Sequence, residues 1–455
     1  MEFRWTVFNG VDTSPERAAA FADVPGRVDG VAGEAACFSG SLFSRPTAPE
    51  EPESALFMCR FTAEKAGFLA FGVGACYFCR LFLNGQLLLD NGEWGNKPWP
   101  IPPRPEHFTV PAPVLRGENL LVVTVKSVPR EPLRLAFRVR EFPGIGECVP
   151  SVANFAALSR VPAYPSEGTE ERKRARMLIQ NGVRNMRNPI FNPYAVDPSL
   201  GEEKVHELEE RYPILLLYER ALDRIKEELS RTVPRKDEVI FWHLYNMGYV
   251  IRTPELCFGL DLNHRRAAEL EPFLDFLLTT HNHVDHFDPS LFRRMSAAGK
   301  SVVSNFHPAP GFHRPPRMLE LCGVKIRTRE TDHNPTLQKF VTTYYIELPG
   351  CPVFASGDSR NAEQLEPAGE VAVFIPHPRV GLSVPEAAAK FHPRCILYSH
   401  FLEMRHCPPT PWYAVPYDLL DEEMESVRRT GCAALAPLWG EKLVWNARKG
   451  AFVDG

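Results

Sequence analysis

The stretch "LLTTHNHVDHFDP" (residues 277–289) places His281, His283, Asp285 and His286 within six positions, at the end of an apolar run. On a helix, residues 281, 283 and 286 would point to different faces. At a strand end, the period of two puts His281 and His283 on one side. "FLDFLLTTH" (273–281) therefore reads as a strand that stops at the cluster, followed by a turn and then by a helix opened at Asp288-Pro289. Neutral imidazoles and a carboxylate suit zinc, and also manganese or iron. Four such side chains from one turn can serve two ions. Solvated loop histidines are the plainer alternative, and the density of H-x-H-x-D-H weighs against it.

Outward from this cluster, the texture over 237–455 alternates. Strand-like "EVIFWHLYNMGYVIRT", "LCFGLDL", "KSVVSN", "KFVTTYYIEL", "CPVFASGDS", "VAVFIPH" and "CILYSHF" are interleaved with helix-like "DPSLFRRMSAAG", "NAEQLEPAG" and "SVPEAAAKFH". Strands with interleaved helices predict an α/β layered domain. Residues 146–236 carry two charged amphipathic stretches, "EGTEERKRARMLIQNGVRNM" and "GEEKVHELEERYPILLLYERALDRIKEELSR", with "RNPIFNPYAVDPSLG" as a loop between them. They predict a helical connector or cap. Residues 1–145 are rich in short β-type runs, and Asn84-Gly85 in "LNGQ" signals a tight hairpin. This part predicts an all-β sandwich, with the Pro-rich "NKPWPIPPRPEHF" as a loop across one end.

A chain of 455 residues suggests two or three domains. Lys and Arg number 52 against 56 Asp and Glu, a formal charge of −4, and no basic stripe is evident, so no nucleic-acid partner is expected. The N-terminal "MEFRWTVFNG" lacks the pattern of a signal peptide, and no long uncharged apolar stretch occurs. The expectation is a cytoplasmic protein without membrane contact. Eleven cysteines sit mostly in apolar contexts such as "FMCRF" and "GACYFCRLF", and read as reduced core thiols.

The H-x-H-x-D-H cluster resembles that of the metallo-β-lactamase-fold superfamily, whose fold is an αββα sandwich with the site at the sheet edge. "YNMGYVIRTPELCFGLDL" looks like the family's opening hairpin and ends near Asp261, which the resemblance assigns to bracing the metal loop. "TDHNPTLQKFVTTYYIELPGCPVFASGDSR" supplies His333 and Asp358, and "CILYSHF" supplies His400. Carried over, His281, His283 and His333 hold one divalent ion, Asp285, His286 and His400 hold the other, and Asp358 bridges them. Zinc is the first expectation for both positions. His307 and His313 compete with His333, but lie in a Pro-rich loop. His377 is expected behind the ligands, while His264 and His406 receive no role.

The resemblance implies hydrolysis by a metal-bound water, with Asp285 as ligand and proton acceptor. No G-x-S-x-G elbow is present to supply an alternative nucleophile. His283 stands where redox di-iron relatives carry glutamate, and Asp358 where antibiotic-degrading zinc enzymes carry cysteine. "ETDHN", "SGDSR" and "YSHF" look most like the branch of sugar-phosphate lactonases and phospholipid phosphodiesterases. The expected substrate is a small ester, lactone or phosphodiester, with Asn282, Asn334, Arg360 and Arg379 as candidate substrate-binding residues.

Two strand-rich stretches, "FGVGACYFCRLFLNGQLLLDNGEWG" and "FTVPAPVLRGENLLVVTVKS", resemble the galactose-binding-like jelly rolls that accompany glycosidases. The alternatives to hydrolysis are a non-catalytic carbohydrate-binding or scaffold protein and, behind it, a nuclease. Homo-oligomerisation is left open.

Overall fold

The computed structural model describes residues 3–37, 42–45, 50–76, 78–92, 103–105, 108–141, 144–161, 163–164, 166–185, 201–306, 317–378, 382–400, 404 and 417–453. Most of "NKPWPIPPRPEHF" and of "RNPIFNPYAVDPSLG" lies outside them, as do His307, His313, Arg379 and His406. The chain divides into two compact units. One comprises Met1–Asn154, Lys173–Arg187 and Cys407–Leu419, and the other Phe155–Arg172, Asn188–His406 and Leu420–Gly455. The segment 146–236, expected as a connector, is thus shared between the units instead of standing alone.

In the first unit, a six-stranded antiparallel sheet orders Glu34–Cys37, Arg4–Asn9, Ser54–Ala63, Gly117–Lys126, Phe78–Leu83 and Gln86–Asn91. A four-stranded antiparallel sheet orders Phe108–Val114, Gly67–Cys76, Arg134–Arg140 and Leu42–Ser44. Alternate residues of both sheets, among them Trp5, Phe57, Leu121, Phe71 and Phe137, fill one apolar cluster. Phe137 meets the rings of Trp5 and Phe3 edge-on, with centroids 4.8 and 5.4 Å apart. The opposite face of the larger sheet, including Phe8, Leu56 and Val122, packs a second cluster with Ala18 of the short helix Pro15–Ala19. Burial on both faces explains why these strands read as nearly continuous apolar runs.

Asn84 and Gly85 take φ of 50° and 79°, the positive values that a two-residue hairpin turn requires. Cys76 and Cys79 stand three positions apart, yet both are buried free thiols. Burial, with Asp90 adding to it, pushes the Cys79 thiol up to about 12.

The second unit contains two seven-stranded mixed sheets. The first orders Ser301–Val303, Phe276–Leu278, Cys257–Leu260, Gly248–Arg252, Glu238–Tyr245, Glu441–Asn446 and Ala451–Val453. The second orders Arg317–Leu321, Val324–Thr331, Val341–Ile346, Val353–Gly357, Val373–Pro376, Cys395–Leu397 and Ala433–Leu435. A shared core takes Phe241, Ile251 and Phe258 from one and Ile326, Val353 and Ile375 from the other. Residues one step out of phase face helices. Phe354 and Phe374 meet Phe391 of helix Val384–Phe391 edge-on, at 5.8 and 5.7 Å. Helices Ile214–Arg231 and Pro289–Ala297 pack against strands of the first sheet.

Each sheet is antiparallel on one side and parallel on the other: Cys257–Leu260, Phe276–Leu278 and Ser301–Val303 run parallel in the first. Val353–Gly357, Val373–Pro376, Cys395–Leu397 and Ala433–Leu435 do so in the second. Parallel neighbours all end at one edge, so the loops that follow them gather there.

Some elements differ from the sequence expectation. "NAEQLEPAG" forms only the single turn Ala362–Gln364, and Pro213 separates helices Glu202–Arg211 and Ile214–Arg231.

Candidate metal centre

Strand Phe276–Leu278 stops two residues before His281, and those two residues fasten the sheets together. Thr342 N–H donates to the Thr280 carbonyl at 2.7 Å, and the Tyr344 hydroxyl donates to the Thr279 carbonyl at 2.7 Å. At the facing strand end, Gly357 takes φ of 52°, and a Cβ there would lie 2.7 Å from both Thr280 Cβ and Val341 Cγ1. Only glycine allows this approach. It brings Asp358 beside the histidine loop.

Around Asp358 the ligand-type atoms of two expected groups converge, His281, His283 and His333 in one and Asp285, His286 and His400 in the other. Asp358 Oδ2 lies 3.7 Å from His281 Nε2 and 3.4 Å from His333 Nε2. Asp358 Oδ1 lies 3.1 Å from His286 Nε2 and 3.5 Å from His400 Nε2. Asp285 Oδ2 is 3.0 Å from His400 Nε2 and 3.5 Å from His286 Nε2. Asp358 Oδ1 and His286 Nε2 are buried without a hydrogen bond of good geometry. Orphaned donor atoms at this spacing, drawn from imidazoles and carboxylates, fit divalent metal.

The groups behind these atoms fix which nitrogen faces inward. Asp261, at φ 46°, accepts from Thr280 N–H at 2.7 Å and from its hydroxyl at 2.8 Å. With its proton committed to Asp261, Thr280 Oγ1 accepts from His281 Nδ1 at 3.0 Å. Asp261 Oδ2 also lies 3.0 Å from His286 Nδ1. Both imidazoles therefore turn Nε2 toward Asp358. His333 is less prepared, because Asn334 Nδ2 is the group that meets its Nδ1, at 3.1 Å.

Two further residues hold the site, and the sequence reading missed them. Asn246, buried at φ 53° in a hairpin turn, donates from Nδ2 to the Asp285 carbonyl at 3.1 Å and to Oδ2 at 3.2 Å. Its carbonyl accepts His400 N–H at 3.1 Å. Asn263 Nδ2 donates to the Val284 and Phe287 carbonyls at 2.6 and 2.8 Å, which clamps the loop. The signal was present in "YNMG" and "DLN", where an Asn in an αL turn or next to the bracing aspartate is a ready local donor.

Electrostatics follow from burial and mutual proximity. Burial opposes charge on both Asp358 and His286, but the neighbours win. The imidazoles of His400, His286, His377 and His281 hold Asp358 well below the usual carboxylate range. Asp358, Asp285 and Asp261 raise His286 well above the usual imidazole value. Burial, then His333, lowers His283 to about 4; burial, then His286, lowers His281. Neutral imidazole is the form that binds metal.

The remaining sequence candidates are dispersed. Asn282 is exposed at the mouth of the loop. The Asn334 carboxamide oxygen accepts from Thr336 and Leu337 N–H groups at 2.9 and 2.8 Å, so its side chain organises the His333 turn. Arg360 is half-buried, its N–H directed at the Asp332 carbonyl at 3.4 Å. His377, expected behind the ligands, has Nε2 in one group with Asp358 and His400. His264 stacks on Tyr218 at 3.9 Å in the interior. Tyr398 is buried in the core.

No family model matches the chain, and no curated protein matches it. Among solved structures, it is similar to Igni18, a metallo hydrolase from Ignicoccus hospitalis, at 16% identity and a TM-score of 0.36, over 46% of this chain and 99% of that one. It is also similar to CmlA, a diiron β-hydroxylase from Streptomyces venezuelae, at 14% identity and a TM-score of 0.34, over 58% and 63%. A third similarity is to a candidate zinc-dependent hydrolase of the metallo-β-lactamase superfamily from Thermotoga maritima, at 16% identity and a TM-score of 0.27, over 40% and 85%.

Proposed function

We propose that the chain is a metal-dependent hydrolase whose second unit has the αββα metallo-β-lactamase fold and holds two divalent ions, zinc first. The observation that carries this reading is the meeting of His281, His283, His333, Asp285, His286 and His400 around Asp358 in the loops that follow the strands. Bound ions of this kind polarise a substrate oxygen and make water a nucleophile near neutral pH. The chain's own residues do the rest. Asp358, kept ionised by the surrounding imidazoles, offers one oxygen to each group of histidines. Asp261 and Thr280 keep protons on the outward nitrogens of His281 and His286, so that the inward nitrogens face Asp358. Asp285, oriented by Asn246, is the group assigned to accept a proton from water.

Half-exposed His283 and exposed Asn282 mark the open side, where a small ester, lactone or phosphodiester would enter. The lactonase and phosphodiesterase likeness is part of this proposal, as is reading the first unit as a galactose-binding-like jelly roll. The test is to assay p-nitrophenyl esters, aliphatic lactones and bis(p-nitrophenyl) phosphate before chelation, after it, and after adding zinc or manganese back. Metal-restored turnover of at least one class is expected. Failure of metal-loaded protein on all three would contradict the reading.

A further inference from the structure

We infer that His377 binds metal directly through Nε2, in the group it forms with Asp358 and His400, so that this buried part of the centre is closed by protein donors and reaction occurs on the side of half-exposed His283. The inference rests on the reading of the centre as metal-binding and deepens it.

His377 ends strand Val373–Pro376, and only 4% of it is exposed. Its Nδ1 lies 2.8 Å from the Pro378 carbonyl oxygen. A carbonyl has no proton to give, so Nδ1 carries the hydrogen and Nε2 of the neutral ring is a bare lone pair. That lone pair faces Asp358 Oδ2 at 3.8 Å. Two acceptors thus face each other in a buried place. The gap exceeds the roughly 3.2 Å limit of an N–H···O hydrogen bond, so a shared proton does not explain it. It is shorter than one zinc–nitrogen plus one zinc–oxygen bond, together about 4.1 Å, so one ion can touch both atoms. Among the described residues, the ion-pair partners of Asp358 are all histidines. The His377 ring is also held in place, stacked on His400 at 3.9 Å with a 29° tilt.

The two sides of the centre then differ in exposure. On the buried side, acceptors hold the outward nitrogens of His377 and His286, as Thr280 holds that of His281, while the outward Nδ1 of His400 has no hydrogen-bond partner among the described residues. Asp285, His286, His377 and His400 all lie within the buried interior. On the other side, His283 is half-exposed, and the Nδ1 of His333 meets a donor rather than an acceptor. Closed, braced donor sets characterise ions that stay, whereas open sets leave room for water and substrate. A lone histidine after an apolar strand gave no hint of this from sequence, because its partners lie in other strand loops.

Weakened affinity alone would not separate a ligand from a brace, since losing a brace also weakens binding about 10–100-fold. The test therefore counts ligands. Protein loaded with cobalt(II) is examined by proton NMR, where each ligating imidazole N–H is displaced far from the ordinary range. His377→Gln is expected to lose one displaced N–H, keep the others, and hold one of its ions at least about tenfold more weakly. His283→Gln should weaken only the ion that chelator removes first. An unchanged set of displaced N–H signals in His377→Gln would overturn the inference while leaving the metal reading intact. If wild type takes up no cobalt, both fall. Should His377→Gln fail to fold, the wild-type spectrum decides, with His281, His283, His286, His333, His377 and His400 all giving displaced signals if the inference holds, and one fewer if it does not.

Discussion

The two units bury polar groups in opposite ways. In the first, Asn84 and Asn119 bond to each other at 3.0 Å and to neighbouring backbone, so each of these two side chains has its partners within the hairpin region. In the second, ligand-type atoms of Asp285, Asp358 and the imidazoles are gathered within reach of one another, and several of them, among them Asp358 Oδ1 and His286 Nε2, are buried without a hydrogen bond of good geometry. Among the described residues, every candidate ligand cluster lies in the second unit. The difference follows from topology. Antiparallel strands spend their ends on short turns, whereas parallel strands release several loops at one edge, where side chains distant in sequence can meet.

Breaking that comparison at its centre should have the largest effect. Asp358→Ala is expected to lower any metal-dependent hydrolysis by more than about 100-fold, beyond the range for groups that only brace ligands. Thermal unfolding of the metal-free variant should fall below that of metal-free wild type, since the surrounding imidazoles lose the carboxylate that they hold ionised. Phe137→Ala strikes the other unit and should destabilise the sandwich by about 3–5 kcal/mol in denaturant titration. Metal content per folded chain should stay unchanged. Loss of metal in that variant would contradict the assignment of the whole site to the second unit.

A pH series sharpens the contrast. Burial, only partly offset by Glu219, lowers His264 to about 4, below the ordinary imidazole value of 6.5. The unfolded chain therefore binds more protons between these values, and stability rises with pH. Stabilisation on the order of 3 kcal/mol from this one residue is full above pH 6.5 and is lost as pH falls toward 4. Melting of metal-free protein from pH 7 to 4 should show the loss, and His264→Phe should flatten it. The smallest effect is expected from Asn246→Ala, which leaves every ligand in place but releases Asp285. About a 10–100-fold drop in affinity for one ion, measured by chelator competition, is predicted.

Much of this architecture was legible because local pattern and tertiary role coincide. The Asn84-Gly85 turn, the strand before His281, and the helix capped by Asp288 are each determined by neighbours in sequence. Strand Val324–Thr331 escaped the reading even though "VKIRTRET" alternates apolar and polar residues; its buried and exposed positions follow that pattern through Arg329. The C-terminal strands Glu441–Asn446 and Ala451–Val453 escaped too, since "EKLVWNARKGAFV" is short and broken by charge. At the centre, the H-x-H-x-D-H residues declare themselves by spacing. Asn246, Asn263 and His377 act through partners 19 to 39 positions away or more, so no local window could assign them.

The measurement that bears most directly on the central claim is metal content. Protein purified without added metal would be analysed for its elements, alongside an Asp285→Ala, His286→Ala double variant. The account predicts about two zinc or manganese ions per wild-type chain and one or fewer in the variant. Wild type with no metal above background, and none taken up on reconstitution, would contradict it.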